Sequence, residues 1–367
     1  MNQIDPKLVE KISKDYKLAK ELVEIHLNAL QIAQELQNYD SNLILFGGTA
    51  AQFYIKSDLQ RTSLDVDLIT NYSYAKINEV MQGFFDKTGI KQIKTKDLVS
   101  TYGTRFGIPL DLTFSKGTGK FQHHVKVEIV SKSKEKINKI HMDECILHGI
   151  NIGKFTMLPK RDLFAKKIIT LDIDNLGIHK DKRNKNETLL SISKQISDIY
   201  RLYASFDKKD FENIGSDVFE QLDNETKAPK DKSKSFECLN RICGVTSSLS
   251  LVDTNKGTQE SKDLTKGYKS LRDSYLPKDG ILTFDQWGSL GWTFEHLFKS
   301  LSLDYQNSTN ERALEHYRIR EEYDKDNREK RVEVLQELSV YKDMPKPYKN
   351  RPLCSLFFKK DLMEGLK

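Results

Sequence analysis

The chain has 367 residues, a formal net charge of +6, 38% hydrophobic and 31% charged residues. That length exceeds what one hydrophobic core organises, so two domains are expected. No apolar run is long enough to span a bilayer and the N-terminal residues carry no signal-peptide pattern, which excludes a membrane protein and predicts a cytoplasmic one.

The four cysteines, Cys145, Cys238, Cys243 and Cys354, form no C-x-x-C pair and no zinc spacing, so they read as reduced thiols. Pro6 to Asn38 carries Leu18, Leu22, His26, Leu27 and Leu30 at helical spacing and predicts one or two helices leading into a strand. That strand, Leu43 to Phe46, breaks at Gly47-Gly48 and passes through Thr49 into a helix around Ala50 to Lys56. Backbone N–H groups at such a turn suit a phosphate. In Arg61-Thr-Ser-Leu-Asp-Val-Asp-Leu68 the alternation sends Leu64, Val66 and Leu68 one way and Asp65 and Asp67 the other. Two carboxylates on one strand face repel unless a cation lies between them, and hard oxygen ligands favour magnesium.

An amphipathic helix over Tyr74 to Asp86 follows, then strands over Arg105 to Phe114 and His123 to Val130. In the second of these Lys126 and Glu128 share the face opposite Val125, Val127 and Ile129. The helix opened by Leu158-Pro-Lys-Arg-Asp has an apolar stripe of Leu163, Phe164, Ile168 and Leu171, with Lys167 inside it and Lys166 pointing away. A lysine so placed either snorkels to the surface or delivers its ammonium into a site. His179 to Glu187 is a basic connection containing Arg183. The next helix has the stripe Ile192, Ile196, Ile199 and Tyr203, which leaves Asp198 on the surface by periodicity alone. From Phe206 the composition shifts to helical segments between polar loops. Trp287, Trp292, Phe294, Leu297, Phe298 and Leu301 read as a helical core, and Arg312 to Val340 as one long charged helix.

Gly-Gly-Thr-Ala followed by Arg-Thr-Ser-Leu-Asp-Val-Asp-Leu resembles the AbiEii/AbiGii family of bacterial toxin nucleotidyltransferases, within the superfamily built on the DNA polymerase β-like fold. Lys126-Val-Glu128, the Asp-Leu-x-Ala-x-Lys helix ending at Lys167, and Asp198-Ile-Tyr-Arg-Leu202 are similar to further motifs of that family. The likeness covers roughly residues 40 to 204 and then fades. It implies an α+β fold: a nucleotidyltransferase domain over 1–205, a mixed sheet flanked by helices, then a helical domain over 206–367 for an acceptor or partner.

The resemblance further implies that Asp65, Asp67 and Glu128 hold magnesium, or manganese in its place, with Asp111 as a rival third carboxylate. Gly47, Gly48 and Thr49 would hold the β- and γ-phosphates of a nucleoside triphosphate. Lys167 would serve nucleotide binding and catalysis, Arg183 the triphosphate or acceptor, and Asp198 catalysis. The chain departs from the family at Arg201, where a second acidic residue is usual. The implied reaction moves a nucleoside monophosphate from an NTP to a hydroxyl of an RNA, foremost the acceptor end of tRNA, or of a protein. The implied setting is a toxin–antitoxin or phage-defence pair with a cognate antitoxin as partner. A small-molecule nucleotidyltransferase and a non-catalytic nucleotide-binding module are the competing readings.

Overall fold

The computed structural model describes residues 3–90, 92, 104–114, 123–132, 137–179, 184–226, 232–251, 257–341 and 350–366. The expected α+β class is observed, a mixed sheet with helices and a mainly helical C-terminal region. The chain divides into two compact units, one of Met1–Leu163 with Arg272–Ile281, the other of Phe164–Leu271 with Leu282–Lys367.

The first unit opens with α1 (Pro6–Tyr16) and α2 (Lys20–Tyr39), the one or two helices read from the leucine spacing. Then come β1 (Ile44–Phe46), α3 (Gly47–Gln52), β2 (Val66–Thr70), α4 (Tyr74–Thr88), β3 (Thr104–Pro109) and β4 (His124–Ser131). Short strands β5 (Ile140–Met142), β6 (Ile146–Leu147), β7 (Ile150–Asn151) and β8 (Phe155–Met157) follow. Six strands pair in the order β3-β4-β2-β1-β8-β5, with β2 parallel to β4, β1 parallel to β8 and the other neighbours antiparallel. Leu45, Val66, Leu68, Val125, Val127 and Ile129 are fully buried, while the residues alternating with them, Asp67, Lys126 and Glu128, remain half-buried. Each such aliphatic side chain stabilises the sheet by about 1.5–3 kcal/mol. β3 ends earlier than the residue pattern suggests. Leu110 N–H still donates to the His123 carbonyl (2.7 Å), and beyond it the Glu24 carboxylate of α2 accepts from the backbone N–H groups of Thr113 and Phe114 at 2.7 and 2.9 Å.

Two histidines are enclosed in this unit, His26 of α2 and His148 in the β6–β7 turn, with ring centroids 6.3 Å apart. Burial pushes His26 well below the ordinary value, helped by His148 and the Arg61 cation, and burial pushes His148 down to about 4. Both are therefore neutral in the fold but take up a proton near pH 6.5 when the chain unfolds. Stability is fully present above about pH 6.5 and is lost as pH falls toward 4, by about 3 kcal/mol from His148 alone. Melts at pH 7.5, 5.5 and 4.5 should show a steady fall that His148→Gln flattens. An identical pH dependence in that variant would refute the assignment.

The second unit is helical. α5 (Lys160–Ile169) enters it, followed by α6 (Lys185–Ala204), α7 (Lys208–Phe211), α8 (Ile214–Thr226), α9 (Lys232–Ser250) and α10 (Gln259–Tyr275). α11 (Phe284–Asn307) is buried on nearly every side, Trp287, Trp292, Phe294, Leu297, Phe298 and Leu301 included, which confirms the helical core read from their spacing. The charged segment read as one long helix is two, α12 (Glu311–Tyr323) and α13 (Arg328–Ser339), before α14 (Leu353–Met363). Asn327 sits in extended backbone and its side chain accepts from the N–H groups of Glu329 and Lys330, so a cap restarts the helix where charge patterning showed no interruption.

A buried relay ties four of these helices. His296 Nε2 lies 2.9 Å from the Asp361 carboxylate of α14, His296 Nδ1 is hydrogen-bonded to His316 Nδ1 (2.7 Å), and His316 Nε2 to the Tyr203 hydroxyl (2.8 Å). Burial, then His296 and Arg320, keeps the His316 pKa well below the ordinary value, consistent with a neutral ring in this chain of bonds. Phe164 packs on Phe206 (4.8 Å) and Tyr203 on Phe294 (6.0 Å), so α5 and α6 share the rings of the helical region. The contact boundary accordingly falls at Leu163–Phe164, ahead of the composition change near Phe206.

Candidate active site

In the first unit the β1 strand ends against Gly47, whose φ of +73° lies in the left-handed region. A Cβ built there would lie 2.0 Å from Asp67 Oδ2, so only glycine lets the turn close onto that carboxylate. Gly47→Ala combines the clash with a left-handed backbone costing roughly 1–2 kcal/mol. It should lower stability in urea titrations by at least that much and remove activity. A fully active, equally stable variant would contradict the geometry. At Gly48 a Cβ would lie 2.8 Å from Arg61 Nη2, which places a buried guanidinium behind the turn. Thr49 is fully buried, and its hydroxyl donates to the Asp65 carbonyl oxygen (2.7 Å) and lies 3.1 Å from the Ser63 hydroxyl. It fastens the segment entering β2 to the Gly-Gly turn. The structure thus turns inward a hydroxyl that the motif reading offered to phosphate.

Strand register does the rest. Asp67 on β2 faces Glu128 on the parallel β4, and Glu128 faces Arg105 on the antiparallel β3. Arg105 Nε lies 3.2 Å from Glu128 Oε1, and Lys126 Nζ lies 3.6 Å from Asp65 Oδ2. Burial works to lower the Lys126 pKa, but Asp65, Asp67 and Glu128 outweigh it and hold the ammonium above the ordinary lysine value. One face of the neighbouring strands β3, β4 and β2, with the residue entering β2, therefore carries three carboxylates and two cations. The sequence reading quoted Arg61 and Lys126 within motifs and Arg105 as the start of a strand, but gave none of the three a role in the site. Lys126 was legible, being two residues from Glu128 on one strand, whereas Arg105 needed the β3–β4 register. The rival carboxylate Asp111 is exposed and beyond β3, in no strand.

The donor set suits a hard divalent cation, being all carboxylate, with Asp67 and Glu128 level on adjacent strands and the Gly47 turn closed on Asp67. Among the described residues no three acidic, histidine or cysteine side chains already converge as a metal shell.

The second unit holds the other pair. Lys167 of α5 and Asp198 of α6 are 5% and 0% exposed, with Nζ 3.0 Å from Oδ2. Lys167 thus reaches a buried carboxylate and does not snorkel. Asp198 is not on the surface, as apolar periodicity alone had it, because α6 is buried over an arc wider than its apolar stripe. That arc also includes Ser193, Ser197 and Arg201. Lys166 diverges toward Glu225 at 3.7 Å. Arg183 lies outside the described residues.

A family model of the AbiEii nucleotidyl transferase toxin, type IV toxin–antitoxin system, matches residues 30–299. The chain belongs to the AbiEii family. It is accordingly a nucleotidyltransferase of the toxin–antitoxin kind, and the type IV system brings with it an NTP substrate and an antitoxin partner. The AbiEii match continues to residue 299, well past residue 204 where the recognisable motifs fade. A crystal structure of a candidate nucleotidyltransferase from H. pylori is similar over 66% of this chain and 89% of its own, at 13% identity and a TM-score of 0.27. No curated protein matches. Among the described residues no helix is long and apolar enough to cross a membrane.

Proposed function

We propose that this AbiEii protein transfers a nucleoside monophosphate from an NTP to a hydroxyl of an RNA, foremost the acceptor end of tRNA. The observation that carries the site is the register of Asp67 with Glu128 beside the Gly47 turn. In the reaction the acceptor hydroxyl gives up its proton to solvent as its oxygen bonds to the α-phosphorus, the bond between that phosphorus and the bridging oxygen to the β-phosphate breaks, and pyrophosphate leaves. Asp65, Asp67 and Glu128 would hold magnesium or manganese. Such an ion supplies charge neutralisation of the triphosphate and acidification of the attacking hydroxyl.

The Gly47–Gly48 backbone contacts the phosphates in this reading, and Thr49 acts on them indirectly by fixing Asp65 through its carbonyl. Lys167, oriented by Asp198, neutralises charge on the leaving pyrophosphate, as a positioned cation does in phosphoryl transfer, with Arg183 as a second cation. The reaction needs no protein nucleophile.

The test is incubation of the full chain with each α-labelled NTP, magnesium and either total tRNA or total protein. Label in tRNA, absent without magnesium, is the expected result. Label in protein alone overturns the RNA reading.

A further inference from the structure

The proposed RNA acceptor needs somewhere to rest its backbone. α1 lies ahead of residues 30–299, so nothing in the family match assigns it a role. Val9 and Ile12 bury one face of α1, Tyr16 packs its ring, tilted by 47°, against His148 at 4.7 Å, and Leu18 is buried just beyond. Lys7, Lys11 and Lys14 are spaced i, i+4, i+7 on the opposite, exposed face, within one narrow arc of the helix. They rise along it by about 6 Å and then about 4.5 Å.

Acidic residues do little to cancel this stripe. Asp5 caps the helix, Glu10 is held by Lys20 at 2.7 Å, Asp15 follows Lys14 in the helix, and Asp279 lies near enough to Lys17 to act on its charge. Among the described residues no ion pair engages Lys7, Lys11 or Lys14. The stripe continues past the helix end. Lys17, in left-handed backbone at the cap, lies against Lys278 from a segment more than 250 residues away in sequence but within the same unit. Lys278 draws the Lys17 pKa down, while Asp279 acts against that shift. Two exposed ammonium groups brought together from distant segments repel each other, and an anion spanning them would relieve it.

The shape narrows the partner. A basic amphipathic helix can lie on a lipid surface only with an apolar face to insert, and here that face is spent in the protein's own core. A convex row of lysines without exposed aromatic rings has nothing to stack on bases, so it suits a backbone of regularly spaced phosphates. We propose that Lys7, Lys11, Lys14, Lys17 and Lys278 form a phosphate-tracking surface on which the RNA strand lies, independent of base sequence. The assignment rests on the RNA-acceptor reading above.

The test is binding of labelled total tRNA to the full chain across about 50–200 mM salt, for wild type, Lys7→Gln/Lys11→Gln/Lys14→Gln, and Lys17→Gln/Lys278→Gln. Each lost phosphate contact lowers the log–log salt slope by about 0.7–0.9, so the triple variant should lose about 2–3 from the slope and the double about 1–2. Melting temperature and NTP binding should stay at wild-type values. A triple variant that binds tRNA with the wild-type slope and affinity overturns the surface and leaves the acceptor reading intact. A wild-type chain that binds no tRNA at any salt overturns both. Binding of polyglutamate but not tRNA, lost in the triple variant, would overturn the RNA assignment in favour of an acidic protein partner.

Discussion

Asp67→Asn will lower nucleotidyl transfer at least about a thousandfold, some 4 kcal/mol of transition-state stabilisation, without lowering the melting temperature. The substitution keeps the shape of the side chain beside the Gly47 turn and removes one of two carboxylates level on β2 and β4. Loss of that charge relieves repulsion with Glu128, so the metal-free protein should be as stable as wild type or slightly more so. Wild type should gain stability on addition of magnesium and NTP together, and the variant should gain little. Asp65→Asn should lose activity to a similar extent, but its melt should drop slightly because Lys126 then loses its partner at 3.6 Å. Wild-type turnover in Asp67→Asn would remove the carboxylates from the chemistry.

The second large effect is on both stability and rate. Lys167→Met leaves Asp198 fully buried without its ammonium, and breaking a buried ion pair by removing one member costs about 3–5 kcal/mol. The variant should fold but melt several degrees lower, with turnover reduced by orders of magnitude. Asp198→Asn should behave alike. The double variant Lys167→Met/Asp198→Asn should recover much of the stability, since no lone charge stays buried, yet none of the activity. Lys166→Met offers the contrast. Its partner Glu225 is 3.7 Å away in a partly exposed pair, so the change should cost less than about 1 kcal/mol and leave turnover near wild type. Urea titration with single-turnover rates distinguishes the two. A Lys167→Met protein as stable and active as wild type would make the pair incidental.

Local pattern was enough for much of this protein. The strand breaking into Gly47-Gly48, the alternation that puts Asp65 and Asp67 opposite Val66 and Leu68, and the leucine spacing of α2 are rules of backbone geometry acting over a few residues. A sequence carries them complete. The split between α12 and α13 was legible too, in Asn327 as a cap, but charge patterning concealed it. Family resemblance supplied Lys167 and Asp198 where periodicity argued against Asp198.

Only the tertiary structure decided what each polar group faces. That Glu128 is level with Asp67 depends on the register of two strands about 60 residues apart in sequence, and Arg105 joins them through a second register. That Thr49 serves Asp65 and not open space depends on a hydrogen bond across 16 residues. Asp198 can lie within the wide buried arc of α6 because Lys167 from another helix neutralises it there. An apolar stripe predicts burial from transfer free energy alone, and a charge enters a core only when a partner meets it. Such pairing is a property of two distant segments together, and neither segment records it by itself.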